Sequence, residues 1–147
     1  MTDSSSPLRI EWHFDASPER VYGAWVTPEV FRRWAWGTLG VETQAAIEPR
    51  VGGGFTVTTA CPDGGTFAFK GRYTAVEVCT RLAFDITWEA PMGYDVPHER
   101  ATVEFAGDGA GTTMTFVHDG VPDGIATATH EAGWRDTFAL LERVLAE

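Results

Sequence analysis

The chain of 147 residues predicts an α+β domain, and three observations carry that reading. Apolar and polar residues alternate with period two over most of the middle of the chain. Helix punctuation occurs twice just after the first alternating segment, and the period turns helical at the C-terminal end. Helices set apart from a run of antiparallel strands define the α+β class. A chain of this length forms one hydrophobic core, so residues 1–147 are expected to make a single domain, with 1–7 a frayed polar tail.

The elements follow in order. Leu8, Ile10, Trp12 and Phe14 alternate with Arg9, Glu11 and His13, a half-buried strand. In Ser17-Pro18-Glu19 a capping hydroxyl, a proline suited to the first helical position and an acid matched to the helix dipole start a short helix. Thr27-Pro28-Glu29 repeats the signal. Two helices this short are marginal alone and must be held by packing. Successive antiparallel strands are then expected over 41–48, 55–60, 66–78, 81–89, 99–106 and 112–118, with a phase shift near Thr74 that predicts a bulge. Pro62-Asp63-Gly64-Gly65 and Gly107-Asp108-Gly109-Ala110-Gly111 supply turns. Gly52-Gly53-Gly54 leads into a strand rather than a helix, which makes it a tight turn and not a phosphate loop. Trp134, Phe138, Leu141 and Leu145 recur at helical spacing, so a helix of about 22 residues, roughly 33 Å, is expected to follow Pro122-Asp123. Only a large sheet could cover it.

Composition narrows the function. Acids outnumber Lys and Arg 21 to 11, for a formal charge of −10. That balance argues against nucleic acid and anionic lipid as partners. The N-terminus lacks signal-peptide features and no apolar window is long enough to span a bilayer, so a cytoplasmic protein with no membrane association is expected. Cys61 and Cys79 show no metal or redox spacing and are expected to be reduced thiols. Aromatic residues make up 12% of the chain, six Trp, nine Phe and three Tyr, a large amount of flat apolar surface for one domain.

Several segments resemble the family named after the activator of the heat-shock-protein ATPase. They are Ala16–Glu29 (ASPERVYGAWVTPE), Pro49–Phe55 (PRVGGGF), Gly71-Arg72-Tyr73 with Leu82-Ala83-Phe84, Thr115–His118 (TFVH) and His130–Trp134 (HEAGW). Together they span nearly the whole chain, and the single-domain length is similar to the bacterial branch. The resemblance implies membership of the START-like, or SRPBCC, superfamily. It also implies a helix-grip fold, in which a curved antiparallel sheet of about seven strands wraps a long C-terminal helix and leaves a cavity between them.

Three functions are open on that basis. The first is binding of a hydrophobic aromatic or acyl small molecule in the cavity. Trp12, Phe14, Arg72, Tyr73, Phe84, Trp88, Phe105, Phe116, Trp134 and Phe138 are the candidate ligand-binding residues. The second is a cofactor-independent cyclase, aromatase or lyase in the same cavity. Its candidate catalytic residues are His118, inward by strand parity, and His130, one turn before Trp134, because paired imidazoles exchange protons near neutral pH. Tyr73, Tyr94 or Arg72 would orient the substrate. The third is a protein-interaction module, either a chaperone co-regulator or a homodimer, with Trp34, Trp36 and Tyr94 in a surface patch or a lid. The chain is thus expected to be a monomer or a homodimer. Two histidines do not make a zinc site, so no metal and no cofactor are expected.

Overall fold

The computed structural model describes residues 8–34, 42–60, 66–88, 99–119 and 125–147. Strand β1 (Leu8–Phe14) is followed by the short helices α1 (Pro18–Val26) and α2 (Pro28–Trp34). Six strands come next: β2 (Glu42–Ile47), β3 (Gly54–Ala60), β4 (Thr66–Glu77), β5 (Arg81–Trp88), β6 (Glu99–Gly107) and β7 (Thr112–Asp119). Helix α3 (Ile125–Leu145) closes the chain. The seven strands form one antiparallel sheet in the order β1-β7-β6-β5-β4-β3-β2. The first strand therefore pairs with the last, while the other five neighbours are consecutive hairpins. This is the α+β, helix-grip arrangement that the sequence predicts. The tail 1–7, Cys61, Trp36 and Tyr94 lie outside the described residues.

Local chemistry accounts for the elements. Ser17 is extended, at φ −66° and ψ 157°, and its Oγ accepts from the Arg20 N–H at 3.2 Å while Pro18 opens α1. Thr27 separates the two short helices, Pro28 opens α2, and Trp34 Nε1 donates back to the Ala24 carbonyl at 3.0 Å. That bond satisfies an end-of-helix carbonyl and ties α2 to α1. The bulge in β4 occurs where the sequence shifts phase, between Tyr73 and Ala75. In the glycine turn Gly52 takes φ +86°, and the backbones of Gly52 and Gly53 exchange hydrogen bonds with that of Tyr73. The turn is structural, as its place before a strand implies.

Parity decides which side chains enter the core. On β7, Thr112, Met114, Phe116 and His118 are all buried and their neighbours partly exposed. On β6 the buried set is Glu99, Ala101, Val103 and Phe105. Register places Ala101 opposite His118 and Glu99 opposite Ile86, so one end of the inner face carries an acid and an imidazole. Helix α3 turns Trp134, Phe138, Leu141 and Leu145 onto this face, and α1 and α2 add Val21, Tyr22, Trp25, Phe31 and Trp34. Trp34 has no exposed surface, which removes it from any docking patch. At Gly71 an added Cβ would overlap the Phe55 ring, so the missing side chain is what lets that ring lie flat on β4.

Candidate functional site

The inner layer is a continuous set of rings. Trp25 lies 4.8 Å from Trp34, 6.1 Å from Phe84, 6.2 Å from both Phe31 and Phe138, and 6.4 Å from Phe116, centroid to centroid. Phe116 in turn lies 4.4 Å from Trp134 and 5.2 Å from Phe138. Phe55 joins Phe31, Tyr73 and Phe84 at 5.0–5.7 Å. Burial of this kind pushes the Tyr73 hydroxyl far above its ordinary pKa of 10, so it stays protonated.

A short hydrogen-bonded chain enters that apolar layer. Trp134 Nε1 donates to His118 Nδ1 at 2.9 Å, and His118 Nε2 lies 2.9 Å from Glu99 Oε1. All three side chains are buried. The indole N–H is a donor only, so Nδ1 must accept and carries no proton. The ring proton is therefore on Nε2 and points at the carboxyl of Glu99. His118 is held as one neutral tautomer, oriented from both sides. Burying an acid and an imidazole in this way is rarely the most stable choice, since apolar residues of the same shape do as well or better. The chain is thus a polar feature in a place where packing alone would not select one.

Among the described residues two further polar atoms are buried with no hydrogen-bonding partner, Trp25 Nε1 and Thr137 Oγ1. Each such group costs about 1–3 kcal/mol. Among the tryptophans whose side chains are described, Trp12, Trp34 and Trp134 all place Nε1 on an acceptor, and Trp25 does not.

The candidate residues sort as follows. Phe14, Tyr73, Phe84, Phe105, Phe116, Trp134 and Phe138 are buried, as expected of an interior lining. They do not converge on one point. Phe105 packs on Tyr22 at 5.8 Å, six residues along β6 from Glu99, or about 20 Å at the usual strand rise. Trp12 is only partly buried and turns its N–H outward to Glu142 at 2.8 Å. Arg72 is a correction. It alternates with Tyr73 on β4, so it faces the opposite side of the sheet and lines an open cleft of about 470 Å³ with Lys70, Glu48 and the glycine turn. It cannot orient a ligand in the interior. The backbones of Trp88 and His130 belong to β5 and α3, and their side chains lie outside the described part. Glu99 was missed, although parity carried the signal: it sits two residues before Ala101 on a strand whose odd-numbered residues face inward. Among the described residues no group of His, Cys, Asp and Glu could hold a metal ion, and no helix is long and apolar enough to cross a membrane.

A seven-stranded antiparallel sheet gripping a C-terminal helix, with a buried polar chain in an aromatic interior, defines a START-like protein of the helix-grip class. The solved structures agree. A protein from Rhodobacter sphaeroides superposes with a TM-score of 0.82 at 21% identity, over 98% of this chain and 95% of that one. An AHSA1-like protein from Aeromonas hydrophila gives 0.78 at 27% identity, over 96% and 92%. A protein from Chromobacterium violaceum gives 0.77 at 24%, over 94% and 95%. Among curated proteins no relative matches. Residues 15–146 match the family model described as activator of Hsp90 ATPase homolog 1-like protein, and the chain belongs to that family.

Proposed function

We propose that this protein binds a hydrophobic small molecule, aromatic or acyl, between the inner face of the sheet and helix α3. The observation that carries the reading is the Glu99–His118–Trp134 chain, a polar handle fixed in orientation at one end of an otherwise aromatic layer. Ligand sites of this kind combine mostly apolar walls with a few oriented polar groups. The family's fold is consistent with such a cavity. A docking role has less support, because Val51 and Val78 are the only large hydrophobic side chains exposed among the described residues and stand on separate turns.

The reading is tested by native mass spectrometry of the protein as purified and by a thermal-shift panel of aromatic ketones, phenols and acyl amides. At 100 times its dissociation constant a true ligand adds about 2.7 kcal/mol of stability. A panel without any stabilisation, together with a mass spectrum of the bare chain, would overturn it.

The same pair supports a second reading, acid–base catalysis of the cyclase or aromatase type. Since Trp134 covers the Nδ1 lone pair, Glu99 rather than His118 would be the proton acceptor. A Glu99→Gln variant that binds as tightly as the parent but no longer converts the bound molecule would favour it. Equal recovery of unchanged ligand from both proteins would exclude it.

A further inference from the structure

Arg72 stands in a row of charges on the outer face of the sheet. Register runs from Gly54 through Arg72, Asp85 and Arg100 to Asp119, and the Glu48 backbone N–H extends the row by donating to the Gly54 carbonyl at 2.7 Å. Both ends of the row are neutralised, since Arg50 lies 3.3 Å from Glu48 and Arg100 lies 3.5 Å from Asp119. Between them the Arg72 side chain is exposed and makes no ion pair or hydrogen bond among the described residues, although Asp85 stands opposite. The cleft of about 470 Å³ opens at this guanidinium, within the range of roughly 300–1,000 Å³ usual for small-molecule sites. Lys70 and Arg72 line it from β4, Glu48 lines it from the end of β2, and Gly54 and Thr56 of β3 lie between. An added Cβ at Gly54 would run into the Gly71 carbonyl, so bare backbone is required at that point of the floor. The glycine turn and Arg72, which the interior site leaves without a functional role, thus line one recess.

We propose that this cleft binds a small organic carboxylate, gripped by the Arg72 guanidinium with Lys70 as a second positive charge. A guanidinium presents a planar fork of N–H donors that matches a carboxylate in two parallel bonds, and at Arg72 no ion pair has to be broken first. The balance of charge favours an anion here even though the whole chain carries −10: Lys70 and Arg72 face one lining acid, Glu48, which Arg50 already attends. The ligand is organic because the rest of the lining includes Ala46 and the glycine turn, uncharged surface with room for an apolar group beside the carboxylate. It carries a single charge because Glu48 and Asp85 flank Arg72 along the row and repel a dianion. Tyr73, the next residue, faces the interior, so this site is on the far side of the sheet from the proposed cavity and does not rest on that reading.

The test titrates three probes into the ¹⁵N-labelled protein: benzoate, its neutral counterpart benzamide, and inorganic phosphate. The signals followed are the backbone amides of Gly53 and Gly54, the Arg72 Nε–H, and the Trp134 indole N–H as a reporter of the interior. Benzoate is expected to shift the first three to saturation and leave Trp134 unmoved, with benzamide and phosphate at least about tenfold weaker. Arg72→Gln should lose about tenfold in benzoate affinity with an unchanged Trp134 signal, which shows that the fold is intact, and Arg72→Lys should recover only part of the loss. Equal binding of benzoate and benzamide, or full affinity in Arg72→Gln, would overturn the proposal. Phosphate binding as tightly as benzoate would overturn the carboxylate assignment. A response at Trp134 in place of the glycine turn would also overturn it and would support the interior site, whereas no saturable shift anywhere overturns this proposal and leaves the interior reading standing.

Discussion

Glu99 and His118 illustrate how a single residue type can be judged by what its partner would lose. Replacing Glu99 by Ala removes the carboxyl that faces the Nε2–H of a buried imidazole, and breaking a buried pair in this way costs about 3–5 kcal/mol. Glu99→Gln keeps a carbonyl oxygen for that N–H and should cost clearly less; urea unfolding of the two variants checks the order. His13 makes a different prediction. Its ring nitrogens lie 3.1 Å from Asp15 and 2.8 Å from Asp108, and these hydrogen bonds raise its pKa above 6.5. A raised pKa means that the stabilisation is complete below pH 6.5 and disappears as the pH rises through the higher folded value. Asp108 is shifted the other way, first by the Ala110 N–H and the Thr113 hydroxyl and then by His13, so its contribution is lost as the pH falls below the usual carboxylate range. A His13→Gln variant should therefore flatten the upper limb of the stability profile, and NMR titration of His13 gives the midpoint. At this scale the sequence was informative about His118, whose inward position follows from alternation with Met114 and Phe116. It was less so about Glu99, since an acid at an inward position reads as a strand boundary until its partner across β7 is seen.

At the scale of elements, the caps and turns do local work that can be removed one at a time. Ser17→Ala takes away the acceptor for the Arg20 N–H and should cost about 1 kcal/mol without changing the fold. Gly71→Ala should cost more, because the new methyl meets the Phe55 ring and the backbone carbonyl of Asp85 rather than a flexible chain end. Comparison of the two midpoints in denaturant separates a cap from a packing contact. Nearly all of these elements were legible in the sequence: the bulge came from a phase shift, the helix starts from Ser-Pro-Glu and Thr-Pro-Glu, and the last helix from its three- and four-residue spacing. What period alone could not give was the role of α1 and α2. Seven- and nine-residue helices show too few turns to reveal which face is buried, yet Trp25 and Trp34 turn out to be central to the core. Arg72 is a related case: it adjoins Tyr73 in the sequence, while the strand sends the two to opposite faces.

Across the described part of the molecule, most of the aromatic side chains form one layer in which rings touch rings, with polarity admitted at a few atoms. The fold was readable because alternation, turn chemistry and helical spacing all point to the same α+β order. The site was readable only in part, because its distinguishing features are pairings between β6, β7 and α3 that no local pattern encodes. The central claim is that this layer takes up a hydrophobic molecule beside the Glu99–His118–Trp134 chain. The most direct measurement is the set of intermolecular nuclear Overhauser effects from bound 2-acetylnaphthalene. The account predicts contacts to the ring protons of Phe116 and Trp134; contacts confined to the outer face, at Lys70 and Arg72, would contradict it.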